Sequence, residues 1–139
     1  MKKIERIAPQ NELDLSEYEV IDAGGKYVAP GLVDIHIHGY LGEDVSDGTT
    51  QGIKCLLPDG TIAGSVLRLN EAVYNLYSNT ELPIEKAVAA ASLNPVRAIG
   101  EGAEIGSLEV GKRADIIIAD EKFTVVKTII GGTVRYERG

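Results

Sequence analysis

His36 and His38 are the two residues of this chain best placed to do chemistry, and the chain has no other histidine. They sit in Asp34-Ile-His-Ile-His-Gly39, which reads as a short buried strand. Side chains alternate along a strand with a period of two. Ile35 and Ile37 therefore share one face, and His36 and His38 share the other. Two imidazoles pointing the same way can converge on one metal ion. Their alternative role is a solvated, hydrogen-bonded polar pair at a strand end. Tetrahedral zinc sites use three or four protein ligands, and only two are identifiable here. Pro30-Gly31, just ahead, is a turn signal that gives the strand a clean start.

A second candidate lies in Asp59-Gly-Thr-Ile-Ala-Gly-Ser65. Gly64 and Ser65 could present backbone N–H groups and a hydroxyl at a helix start, where anions bind well. The plainer reading of this run is a β-turn followed by a small-residue helix entry. Other reactive side chains have ordinary roles. Cys55 lies in a loop with no partner base. Asp115 and Asp120 flank an isoleucine-rich run and read as solvated turn acids. Tyr74 and Tyr77 fall on one helical face and read as packing. Arg97 follows Asn94-Pro95 and reads as a capping or ion-pairing residue. No residue stands out as a general acid or base.

The elements that position these residues follow from pattern. Ile4–Ile7 and Tyr18–Ile21 are short strand candidates, Asp22–Lys26 is a tight turn, and Tyr27-Val-Ala leads toward the histidines. Residues 39–66 hold six of the chain's 16 glycines and read as loop. Residues 69–100 are helical. Asn70 is the expected N-cap of a helix through Tyr77. Pro83 falls near the first position of a second helix, with Glu85 in its first turn and Leu82, Val88 and Ala91 as apolar positions. Asn94-Pro95 opens a third, which Gly100 stops. Ile105–Gly111 is turn-rich. Ala114–Ala119 is a continuous apolar run, as in a strand buried on both faces. Val125–Ile130, Gly131-Gly132 and Thr133–Tyr136 form a β-hairpin.

Three blocks carry a resemblance. The first is Val20 through Gly39, with its Pro-Gly-Leu-Val-Asp-Ile-His-Ile-His core and Gly42 and Asp44 beyond. The second is Asp59–Ser65 with Leu69-Asn-Glu-Ala-Val73. The third runs from Ala91-Ser-Leu-Asn-Pro-Val-Arg-Ala98 to Ile105-Gly-Ser-Leu-Glu-Val-Gly-Lys-Arg-Ala-Asp-Ile-Ile117. Together they resemble the N-acetylglucosamine-6-phosphate deacetylases of the amidohydrolase superfamily. The second block is the specific one; the others are general to the superfamily. A dihydroorotase-like relative is the alternative enzyme, and the Asp59–Ser65 block argues against it. A non-catalytic, oligomerising fragment is the alternative of another class.

The resemblance implies an α+β fold. Residues 1–30 and 104–139 are expected to form a small composite β-sandwich. Residues 31–103 would be a residual strand, loop and helices from a (β/α)8 metal-dependent hydrolase barrel. A whole barrel takes roughly 200–250 residues, so this 139-residue chain is expected to be a shortened form. The shortening falls around Thr49–Leu57. In the family that stretch carries a metal-binding glutamate, two further histidines and the aspartate that serves as general base. His36 and His38 would be the metal ligands, Gly64 and Ser65 the substrate contacts, and no catalytic residue is assigned. The family's cofactor is a divalent metal, zinc or iron, which polarises the amide carbonyl and activates water. Its substrate is a small amino-sugar phosphate. This chain is expected to bind metal weakly or not at all and to turn over little or no substrate.

Composition sets outer bounds. The net charge of −7 and the lack of a basic cluster argue against nucleic acid or an anionic membrane as a partner. No apolar run is long enough to span a bilayer, and no secretory h-region follows Met1. One cysteine cannot make an internal disulfide, which fits a cytoplasmic protein. Apolar surfaces at residues 31–38 and 69–99, without a barrel to cover them, point to a homo-oligomer.

Overall fold

The structure, a computed structural model, describes residues 1–35 and 67–139. Its frame is one antiparallel sheet of four strands in the order β1-β2-β3-β4: β1 Tyr27–Pro30, β2 Ile116–Ala119, β3 Val125–Ile130 and β4 Thr133–Glu137. Among the described residues, three helices fall between the first two strands: α1 Leu69–Ser78, α2 Ile84–Ala90 and α3 Leu93–Ala98. β1 and β2 are far apart in sequence yet pair directly, Tyr27 with Ala119 through Pro30 with Ile116. The two ends of the chain thus meet in one sheet. A second sheet, which a sandwich requires, is not found among the described residues.

The sheet forms where β-branched residues are dense. Ile116, Ile117 and Ile118 run without a break, and Ile117, Ile118 and Ala119 are buried, as expected of a strand covered on both faces. Ile117 and Ala119 turn toward the helices and join Ala29 and Phe123 in the core. Alternation then puts Ile118 on the outer face. The β3–β4 connection is Gly131-Gly132, with φ of 55° and 73°. A two-residue turn of this hand needs positive φ at both positions, which glycine adopts without strain.

Helix α1 presents Leu69, Val73, Tyr74, Leu76 and Tyr77 to the core, a stripe at helical spacing. Tyr74 and Tyr77 therefore pack, as their positions suggested. Helix α2 adds Ile84, Ala87 and Val88, with Ala91 just beyond it. Phe123, in the turn between β2 and β3, is 1% exposed and plugs the seam between helices and sheet. Its ring centroid lies 6.2 Å from that of Tyr27. Burying such a ring contributes about 2–3 kcal/mol, which offsets the cost of its left-handed φ of 57°.

Helix α3 ends as its sequence predicts. Gly100, at φ 83°, donates to Arg97 O, and Glu101 donates to Val96 O at 2.8 Å. These two bonds close a Schellman motif, for which glycine is the favoured residue.

Four local expectations change. Ile4–Ile7 is not a strand: Lys3 makes one isolated bridge with Arg113, and Ile4 N donates to Lys112 O. Beyond it Pro9 lacks a donor and a short 3-10 turn, Gln10–Glu12, takes over. Tyr18–Ile21 is not a strand either; Tyr18 and Val20 are 67% and 58% exposed, with no sheet edge beside them. Asn70 lies inside α1, whose N-cap is Arg68; its side chain is used elsewhere, as described below. Pro83 does fall next to the first position of α2, as its N-cap, but Leu82 stays outside the core.

Candidate metal site and its approach

The described residues run up to the histidine segment and stop short of it; at its start Asp34 and Ile35 are exposed and Ile35 sits in a bend, not in the buried strand expected there. His36, His38, Gly64 and Ser65 all lie outside the described residues, as does Cys55. What the structure defines is how the approach, Gly31–Ile35, is held. Gly31 N donates to the carbonyl of Asp115 at 2.9 Å, which continues the β1–β2 ladder by one residue. A Cβ on Gly31 would lie 3.3 Å from the Asp115 Cβ, a contact closer than most side chains tolerate. Two residues on, Val33 N donates to Ala91 O at 2.9 Å, at the corner between α2 and α3. The side chain of Leu32 packs against the core. The lead-in to His36 is thus tied once to the sheet and once to the helices.

Asp115 is the hinge of this arrangement, and it is not the solvated turn acid expected. Its side chain is only 15% exposed. One carboxylate oxygen accepts from Gly131 N at 2.8 Å, and the other pairs with the Arg113 guanidinium. That pairing, chiefly the hydrogen bond to Asp115, pushes the Arg113 guanidinium further above its already high value. Both carboxylate oxygens are engaged, so Asp115 organises backbone rather than moving protons. Asp120 is the turn acid expected of it. Its Oδ1 accepts from Thr124 N at 2.8 Å and from Lys122 N at 3.0 Å. These backbone donors, Thr124 first, hold its carboxyl below the usual range.

Lys112 did not stand out in the sequence. Its ammonium donates to Gly102 O and to Ser107 Oγ, both at 2.6 Å, and lies 3.4 Å from a Glu109 carboxylate oxygen. Three partners match its three donors. They fasten the loop of residues 101–113 that leads into β2. Glu109 is held below the usual carboxylate range by Ser107, with Lys112 contributing.

A cavity of about 340 Å³ opens beside the approach, lined by Leu32, Val33, Leu69, Ile117, Val125 and the Arg113–Asp115 pair among others. Its walls are mostly apolar. Among the described residues, no group of three His, Cys, Asp or Glu side chains is placed to hold a metal ion. No helix among them is long and apolar enough to cross a membrane.

Comparison with known proteins supplies the class. The profile of the amidohydrolase family matches residues 59–135, more than half of the 139 residues. The chain belongs to the amidohydrolase family. Within it, the chain is 32% identical over 79 residues to the N-acetylglucosamine-6-phosphate deacetylase of Haemophilus influenzae, covering 57% of this chain and 21% of that one. It is 32% identical over 108 residues to the Bacillus subtilis enzyme of the same name, covering 78% of this chain and 26% of that one. Among solved structures, N-acetylglucosamine-6-phosphate deacetylase from Thermotoga maritima superposes with a TM-score of 0.53 at 35% identity, covering 60% of this chain and 23% of that chain. The chain therefore spans about a fifth to a quarter of the length of these relatives.

Proposed function

We propose that this chain derives from the N-acetylglucosamine-6-phosphate deacetylases and keeps their sheet and first metal-ligand pair without a complete catalytic set. The reading is supported chiefly by the similarity to these enzymes, within a family whose match spans residues 59–135. Residues 1–30 and 104–139 are assigned to the composite β-unit, and residues 31–103 to the part descended from the barrel. Pairing of β1 with β2 is the observation that favours this division. His36 and His38 are the metal ligands in this reading, with zinc or iron as the metal. Gly64 and Ser65 are the contacts for the amino-sugar phosphate. The residues here bind and orient; no residue of the chain is assigned to proton transfer. The place of action is the cytoplasm.

The test is release of acetate from N-acetylglucosamine 6-phosphate by purified protein with added Zn²⁺ or Fe²⁺. No turnover is expected. Turnover that His36→Ala abolishes would overturn the reading and imply ligands donated by another subunit.

Self-association is the second part of the proposal. Val28 and Val134 are 49% and 41% exposed. Register places both on the outer face of the sheet with Ile116, beside Ile118, which is already covered within the chain. A homo-oligomer that buries this face should appear in sedimentation equilibrium, and a monomer at tens of micromolar would exclude it.

A further inference from the structure

We draw no further inference here: the strongest candidate, the apolar groove between β1 and α2 lined by Tyr27, Ala29, Ile84, Val88, Leu108 and Phe123, carries nothing because nothing in the structure shows what covers it.

Discussion

The side-chain amide of Asn70 donates a 3.1 Å hydrogen bond to the main-chain carbonyl of Phe123, 53 residues away. This bond joins the first turn of α1 to the turn between β2 and β3. It also fixes the backbone at the residue whose ring fills the seam between helices and sheet. One contact thus connects the helical segment to the sheet built from the two ends.

Two substitutions separate the bond from the ring. Asn70→Ala leaves a partly buried carbonyl unpaired and should cost about 1–2 kcal/mol. Phe123→Ala also removes a fully buried ring and should cost about 3–4 kcal/mol. Urea denaturation of both variants measures the difference. Equal costs would mean that the ring is not the anchor.

Gly106 and Gly100 give a matched test of space against backbone strain. Both have strongly positive φ, 90° and 83°. A Cβ on Gly106 would clash with Val96 Cγ2 and lie 3.2 Å from Leu93 Cα, whereas one on Gly100 meets nothing within 4 Å. Gly100→Ala therefore carries only the left-handed penalty, about 1–2 kcal/mol. Gly106→Ala adds overpacking against α3 and should cost about 2–4 kcal/mol. Thermal melts that rank the two the other way would show that α3 shifts freely to make room.

Much of the sheet was legible in the sequence because its signals are local. The isoleucine run at 116–118 and the Gly131-Gly132 turn each carry their own structure. What failed depends on partners far along the chain. Ile4–Ile7 and Tyr18–Ile21 have strand composition, but a strand needs a neighbouring edge; Ile4 exchanges backbone bonds with Lys112 and Gly111, beside the Lys3–Arg113 bridge, and among the described residues the pairing goes no further. Asn70 has the right residue type for a cap, but a carbonyl 53 residues away takes its side chain. Asp115 looked like a solvated acid because nothing nearby in sequence reveals that Gly31 and Gly131 converge on it. Of the candidate site, the residue types were legible and their spacing suggested a shared face; the described residues show only the ties that lead up to them.

Acid should loosen the loops before the sheet. Asp14, Glu109 and Asp120 are each held below the usual carboxylate range, by Ser16, by Ser107 with Lys112, and by the Thr124 and Lys122 amides respectively. A carboxyl with a lowered folded-state pKa adds stability above its unfolded value, about 4, and loses it as pH falls through the lower folded value. Melting temperature should thus hold steady near neutrality and fall below about pH 4. Asp120→Asn should melt lower at neutral pH and lose less on acidification. Parallel acid limbs in the two proteins would remove Asp120 from the account.

Lys112 is expected to matter more than any ion pair at the surface. Its ammonium is nearly buried, and its partners include the Gly102 carbonyl and the Ser107 hydroxyl. Lys112→Met keeps the aliphatic stem but leaves those acceptors unmatched, at a cost of about 1–3 kcal/mol. Lys3→Met removes only the exposed pair with Glu104 and should cost at most about 1 kcal/mol. Amide exchange in residues 101–113 should accelerate in the first variant alone. Similar exchange in both would mean that the loop is held by its backbone bonds and not by Lys112.

Metal is the last expectation, and it follows from counting ligands. His36 and His38 can offer two neutral imidazoles, whereas structural and catalytic zinc sites use at least three protein ligands. Among the described residues no group of three candidate ligands forms a site of its own. Zinc should therefore be substoichiometric in protein purified without it, and titration should show weak binding that His36→Ala or His38→Ala removes. Association changes the count, because two strand ends brought together would offer four imidazoles to one ion. Metal content that rises with protein concentration would then point to a site shared between copies. One metal per chain that survives dialysis against a mild chelator, in a protein that remains monomeric, would refute the two-ligand picture.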